Sequence, residues 1–142
     1  TAWSTRSSDN SAATGRPCGP EFPGLTAEER QNGFNFLTLY PTMYVVAHVD
    51  HVRAVRLEPL GPDTTRLTAE WYFSADTLAQ PGFDAAEVAA FATLVIDQDG
   101  AAAEMNQRGL RSPAYERGLL MPEEYAIRDF HAWVLNEMED RP

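Results

Sequence analysis

Four strand-like segments separated by short turns occupy residues 34–73, and a long alanine-rich segment follows them. The clearest strand lies at residues 65–73, where Leu67 and Trp71 belong to an apolar set that alternates with polar residues. Such alternation is typical of a strand with one buried face. Short connections join antiparallel neighbours, whereas parallel strands need long crossovers. The pattern therefore predicts an antiparallel meander of about four strands.

Turn-forming residues place the other three strands. We expect these strands at residues 34–40, 43–49 and 52–57. Asp50 and His51 form the tight turn between the second and third strands, and a segment rich in glycine, proline and aspartate precedes the fourth. Pro41 interrupts the pattern, which fits a bend or an edge position because proline cannot donate to a strand ladder.

Three helices are predicted from their terminal residues, at about residues 26–32, 84–108 and 123–138. Thr26 with Glu29, and Asp84 with Glu87, have the spacing of a capping box, in which two side chains satisfy free amides at a helix start. Gly109 suits the position just after a helix end. Together with the strands, these helices define an α+β fold in which an antiparallel sheet packs on the long helix.

Charge and composition exclude several classes of protein. The 142 residues carry 11 basic and 21 acidic side chains, so the net charge is −10. Phosphate backbones and anionic membrane surfaces attract clustered basic residues, so we expect neither nucleic acid nor a membrane as a partner. With one cysteine, Cys18, the sequence has no internal disulfide framework and no zinc site built on several cysteines. No apolar run approaches the length of a membrane span, so the expected location is the cytoplasm.

The length allows one domain, and the first part of the chain differs in composition from the rest. Fifteen of residues 1–24 are Ser, Thr, Gly, Pro, Asn or Asp. Such a segment cannot bury enough apolar surface to offset its ordering entropy. We therefore predict an irregular polar lead at residues 1–24 and a portion of a folded domain at residues 25–142. Domains rarely begin in this way, so we expect that Thr1 is not the natural N-terminus.

The middle of the long helix carries the residues most suggestive of chemistry. At 100° per residue, Asp99 lies on a face of small and apolar residues, whereas Asp97 points elsewhere. That face also includes Ala92, Val95 and Ala103. A buried carboxylate must be paired, protonated or bound to a metal. The alternative is that both carboxylates meet solvent or an arginine.

The residues from Asp99 onward resemble the iron-ligand helix in the large subunits of Rieske non-haem iron oxygenases. In that family an aspartate is followed by a glutamate five residues on, by a glutamine three residues later, and then by Arg-Gly-Leu. Here these residues are Asp99, Glu104, Gln107 and Arg108 to Leu110. Other segments match in order and spacing over about residues 22–136: Leu39–Met43, Leu57–Asp63, Ser112–Tyr115, Arg117–Gly118 and Phe130–Trp133.

The resemblance implies a helix-grip, or Bet v 1-like, catalytic domain of which this chain is a C-terminal portion. In such subunits an N-terminal Rieske domain holds a 2Fe–2S cluster. The catalytic domain holds Fe(II) through two histidines and one carboxylate, which leaves positions open for dioxygen. The resemblance implies that Asp99 is the metal ligand. It also implies that Glu104 and Gln107 are cofactor-site residues, which do not bind the iron but orient the residues that do.

The chain departs from the family pattern in what it lacks. It has no Cys-x-His…Cys-x-x-His signature for the 2Fe–2S cluster and no His-x-x-x-x-His pair for the iron. The cluster is therefore expected in an N-terminal domain of the parent protein that this sequence does not include. Because only the carboxylate ligand of the iron is present, we expect the 142-residue piece alone to be inactive.

The three histidines and the cysteine are interpreted as structural. His48 and His51 could join Asp99 at a metal, but a tight turn offers poor ligand geometry and successive strand residues point to opposite faces. We instead expect His51 to be exposed in the turn and His48 to face polar surroundings. We expect His131 to pack on the last helix, and Cys18 to be a bystander in a loop rich in glycine and proline.

Two functions of different kinds follow. The first is a fragment of an oxygenase whose parent takes electrons from NAD(P)H through a reductase or ferredoxin. That parent uses dioxygen to hydroxylate or demethylate a small organic substrate, either an aromatic compound or a quaternary amine, and by resemblance it is a homo-oligomer, a trimer. The alternative is a non-catalytic helix-grip module that binds a hydrophobic ligand, with Asp99 a satisfied core carboxylate. We interpret Trp71 as a core residue rather than part of a substrate cage. The gene sequence upstream of Thr1 discriminates between the two functions.

Overall fold

The structure is a computed structural model that describes residues 17–139. In chain order its elements are α1 (Ala27–Asn32), β1 (Phe34–Leu39), β2 (Met43–His48), β3 (His51–Gly61), β4 (Thr64–Phe73), α2 (Ala75–Leu78), α3 (Ala85–Leu110), a 3-10 turn (Pro122–Glu124) and α4 (Tyr125–Glu139). The described part of the chain divides into two compact units between Gly100 and Ala101, a boundary that lies within α3.

The four strands form one antiparallel sheet in the order β1-β2-β3-β4. This arrangement confirms the predicted meander and the α+β fold. The pairing of β1 with β2 begins where Phe34 faces His48. The ladder between β3 and β4 begins where His51 faces Phe73 and continues to the next turn. Both ladders therefore start at the same end of the sheet, beside the turn that joins β2 to β3.

The strand register divides the sheet into two faces of different chemistry, because side chains alternate along each strand. One face, here called the aromatic face, carries a row of rings across all four strands: Phe34, His48, His51 and Phe73. The other, here called the charged face, carries Arg56, Glu58, Arg66 and Glu70. Phe34, Val46, His48 and His51 are buried. The core of the first unit therefore lies mainly on the aromatic face.

The turn between β2 and β3 lies one residue earlier than predicted. It consists of Val49 and Asp50, and β3 begins at His51. The expectation of an exposed His51 was wrong, since its exposed fraction is 1%. The physical reason is that His51 faces His48 across the hairpin and stacks on it, which removes both rings from water.

Helix starts follow the capping residues. Glu29 N–H donates to Thr26 Oγ1 at 3.2 Å and Thr26 N–H donates to the Glu29 carboxylate at 2.7 Å, which confirms the capping box of α1. Asp84 Oδ1 accepts from Ala86 N–H at 2.8 Å at the start of α3. The far end of α3 differs from the prediction, because the helix passes through Gly109 and ends at Leu110. A glycine can continue a right-handed helix as well as end one, so its position alone does not decide the boundary.

The second unit contains the C-terminal helix predicted from the sequence. The 3-10 turn at Pro122–Glu124 leads directly into α4. His131 is exposed, and its ring centre lies 6.4 Å from that of Phe130. Within residues 17–139, no helix combines the length and the apolar character needed to cross a membrane.

A loop at residues 17–22 packs on the turn between β2 and β3. Phe22 N–H donates to the Val49 carbonyl at 2.7 Å. Gly19 lies against Thr77, the buried residue of the one-turn helix α2, which the sequence did not predict. A Cβ atom at position 19 would stand 2.6 Å from Thr77 Cγ2 and 2.9 Å from Thr77 Cβ. Only glycine fits at this contact without movement of a neighbour.

We expect Gly19→Ala to lower the free energy of unfolding by about 1–3 kcal/mol, the range usual for overpacking. Thr77 is 0% exposed, so it has no solvent-filled space to move into. Urea denaturation followed by circular dichroism measures the change. Gly61→Ala is the matched control, since no atom lies within 4 Å of a Cβ at that position. Equal losses in the two variants would contradict the close packing at Gly19.

Candidate functional site

Asp50 is a fully buried carboxylate in the turn between β2 and β3. Its Oδ2 accepts from Cys18 N–H at 2.5 Å, and its Oδ1 lies 2.7 Å from His51 Nδ1. An ionised carboxylate only accepts, so His51 Nδ1 donates. Burial by itself raises the pKa of Asp50, but the hydrogen bonds from His51 and Cys18 outweigh burial and hold the pKa at about 2. Asp50 is therefore an ionised group with its own set of donors.

Cys18 lies at the same turn, with its Sγ 3.7 Å from His51 Nδ1. Burial raises the pKa of the Cys18 thiol to about 12, and the hydrogen bond to Asp50 and the charge of that carboxylate add to the effect. The group is a protonated thiol at neutral pH and is a poor nucleophile. The part of Cys18 that holds the loop to Asp50 is its backbone N–H, which every residue except proline carries.

His48 is stacked on His51, with ring centres 4.3 Å apart and ring planes 13° from parallel. His48 is 6% exposed, and neither of its ring nitrogens has a hydrogen-bond partner. Burial, and then the positive charges of His51 and Arg53, lower the pKa of His48 to about 4. The rings of Phe34 and His51 flank the imidazole.

Cys18, Asp50 and His51 form a group of three potential metal ligands within residues 17–139, with their ligand atoms within 4.8 Å of one another. Thiolate, carboxylate and imidazole are the donors that zinc prefers. Here, however, Asp50 already accepts from both of its neighbours, and the thiol keeps its proton. A cation would have to displace these hydrogen bonds, so the arrangement is satisfied as a hydrogen-bonded cluster.

The site residues carried over from the resemblance lie on α3 and are exposed: Asp99, Glu104 and Gln107. The helix face that includes Asp99 is buried only in its first part. Ala92 is buried, but Val95 is already 37% exposed. Within the described range, the group of potential metal ligands does not include Asp99. The structure therefore brings together Cys18, Asp50 and His51 rather than a ligand set around Asp99.

Sequence reasoning missed the roles of Asp50 and Cys18, although part of the signal was present. His48 and His51 flank a two-residue turn, and residues in these positions face each other on one side of a hairpin. That spacing could have indicated a stacked pair. The contact between Cys18 and Asp50 spans 32 residues and has no local pattern to reveal it.

Comparison with known proteins assigns the chain to a family. The family described as ring hydroxylating alpha subunit (catalytic domain) matches residues 2–140. The chain belongs to this family, and the α+β fold with its antiparallel sheet is consistent with that domain. The recognition made from the residues that follow Asp99 is thereby confirmed at the level of the family.

The relatives include oxygenases with named substrates. The chain is 30% identical over 128 residues to the glycine betaine monooxygenase oxygenase subunit of Chromohalobacter salexigens, which covers 89% of the chain and 28% of the relative. It is 29% identical over 111 residues to the chloroplastic choline monooxygenase of Atriplex hortensis, covering 72% of the chain and 25% of the relative. The chain thus spans about a quarter of the length of these curated relatives.

Acidification from about pH 7 to about pH 4 is expected to destabilise the protein through His48. The folded pKa is about 4 and the ordinary value is 6.5, so in this interval the unfolded chain binds a proton that the folded chain does not. From this group alone the free energy of unfolding then falls by at most about 1.4 kcal/mol per pH unit. The contribution of Asp50 is lost at lower pH, as its folded pKa is about 2.

His48→Phe keeps a ring in the stack and removes both unpartnered nitrogens. We expect this variant to lose the part of the pH dependence between about pH 7 and about pH 4 that comes from His48. Urea denaturation across that interval measures the slope. His131→Phe, at an exposed histidine, should keep the slope of the unmodified chain. An unchanged slope in His48→Phe would show that the buried imidazole is not the group that titrates.

Proposed function

We propose that the chain is the C-terminal part of the catalytic domain of a Rieske-type non-haem iron oxygenase. The family match across residues 2–140 carries this proposal. The four-strand antiparallel sheet and the long helix that follows it support the proposal. In such an enzyme, electrons from NAD(P)H arrive through a reductase or ferredoxin, and dioxygen is used to hydroxylate or demethylate a small organic substrate. This activity belongs to a longer polypeptide, because the chain corresponds to 28% of its relative from Chromohalobacter salexigens.

The substrate class that we favour is a quaternary ammonium compound rather than an aromatic ring. The relatives described above are named for glycine betaine and for choline, and both of these compounds carry a trimethylammonium group. Sequence identities near 30% support a quaternary ammonium compound as the class of substrate. The contacts that this chain makes decide which member of that class it binds.

For the mononuclear iron, we propose Asp99 as the carboxylate ligand in the longer protein, with Glu104 and Gln107 on the same helix orienting the ligands. An Fe(II) ion held by two histidines and one carboxylate keeps positions open for dioxygen. The described residues do not complete such a site, because Asp99 is exposed and no pair of histidines accompanies it among residues 17–139.

The remaining parts of the enzyme are also proposed for the longer protein. A Rieske cluster needs two cysteines and two histidines as ligands, and this sequence has one cysteine. The 2Fe–2S cluster therefore has its ligands outside this sequence. We propose that the full-length protein is a cytoplasmic homo-oligomer, a trimer. We also propose that the 142-residue piece is inactive in isolation.

In the full-length subunit, we expect Asp99→Ala to remove most of the bound mononuclear iron and of the turnover, because one of three protein ligands is lost. Asp97→Ala is the matched control, since Asp97 lies two residues away on another face of α3. It should keep near-normal iron and cost at most about 1 kcal/mol of stability.

Iron quantitation on both variants tests the assignment, with the visible absorbance of the 2Fe–2S cluster as the internal standard. The cluster should survive in both variants, because a separate domain holds it. Equal iron loss from the two variants, or full retention in Asp99→Ala, would mean that another carboxylate binds the iron. A purified full-length subunit without any mononuclear iron would reject the proposed function itself.

A further inference from the structure

Arg53 lies on the aromatic face of the sheet, and the four strands place no carboxylate on that face. Asp50, in the turn between β2 and β3, already accepts from Cys18 and His51, and its charge acts on His48. Arg53 lies opposite Val46 on β2 and opposite Trp71 on β4. The two acidic residues of the strands, Glu58 and Glu70, both lie on the charged face. The pairing register therefore gives Arg53 no acidic neighbour on its own face of the four strands. Burial lowers the pKa of the Arg53 guanidinium.

Four buried polar atoms on this face have no hydrogen-bond partner among residues 17–139. They are Arg53 Nε, Trp71 Nε1 and both ring nitrogens of His48. Arg53 and Trp71 are direct cross-strand neighbours, and His48 lies two residues from Val46, the residue that faces Arg53 on β2. His48 stacks on His51, and Arg53 lies two residues along β3 from His51, so His48 and Arg53 are diagonal neighbours on the aromatic face. An unpartnered polar group of this kind carries the full cost of leaving water.

The chemistry of these atoms specifies what would satisfy them. A guanidinium and an indole N–H only donate hydrogen bonds, and a neutral imidazole donates from one of its two nitrogens. The complementary group is an acceptor with negative charge. A carboxylate meets both requirements, and an arginine binds it through short charge-assisted hydrogen bonds. A hydroxyl group has a single uncharged oxygen, so it accepts fewer and weaker hydrogen bonds than a carboxylate does.

We propose that Arg53, Trp71 and His48 bind the carboxylate of a small organic substrate. This inference rests on the proposed function and deepens it: the enzyme acts on a quaternary ammonium carboxylate, for which glycine betaine is the probe, in preference to a quaternary ammonium alcohol such as choline. Arg53 supplies the charge, and the indole N–H and the imidazole supply further donors on the same face of the sheet.

The test is a binding titration of the 142-residue chain followed by NMR at constant ionic strength. The signal of the Trp71 indole N–H, assigned by its loss in Trp71→Phe, is recorded during addition of glycine betaine, of choline and of sodium acetate. We expect a saturable shift with glycine betaine, competition by acetate, and at least tenfold weaker binding of choline. Arg53→Gln should weaken glycine betaine binding at least tenfold. Arg56→Gln, on the charged face of the same strand, should leave it unchanged.

Binding of choline as tight as that of glycine betaine would overturn the proposal, and so would unchanged affinity in Arg53→Gln. The comparison of ligands on the unmodified chain decides the matter even if Arg53→Gln does not fold. The titration needs neither iron nor turnover, so its result is independent of the test of the proposed function. Selective glycine betaine binding with no iron in the full-length subunit would reject the oxygenase alone. An iron-loaded, active subunit with no such binding would reject the carboxylate site alone.

Discussion

The buried charge of Asp50 is the constraint around which this part of the molecule is organised. A carboxylate without water is stable only if donors replace its hydration, and here Cys18 N–H and His51 Nδ1–H do so. One donor comes from the loop before α1 and the other from the first residue of β3. The same interaction therefore closes the loop onto the turn and fixes where β3 begins.

The start of β3 decides which side chains share a face of the sheet. Since side chains alternate, a shift of one residue would move every residue of the strand to the opposite face. With His51 as the first residue, the two histidines stack and Arg53 lies on the aromatic face, opposite Trp71. The proposed carboxylate site thus depends on the turn, and the turn depends on Asp50. The family match supports the proposed oxygenase, and this register places the side chains of the proposed carboxylate site on one face.

Much of the fold could be predicted from local patterns, and what could not depended on distant contacts. Alternation and short turns predicted the meander, and the capping residues Thr26 and Glu29 predicted α1, because the physical cause lies within a few residues. The turn between β2 and β3 was misplaced by one residue, because Asp50 and His51 are polar and read as exposed. The buried Asp50 carboxylate accepts from Cys18 N–H, 32 residues away in the sequence, and His51 is buried against His48. Asp99 was singled out by its position on the helix face and assigned as a ligand by resemblance, and this assignment stays a proposal.

Amide hydrogen exchange at Cys18, compared between the unmodified chain and Asp50→Ala, tests most directly whether Asp50 holds the loop on the turn. The account predicts that the Cys18 amide is protected in the unmodified chain, since it donates to a fully buried carboxylate. It predicts that this protection disappears in Asp50→Ala, while amides in the centre of the ladder between β3 and β4 stay protected. A Cys18 amide that exchanges in the unmodified chain as fast as in an unstructured peptide would contradict it.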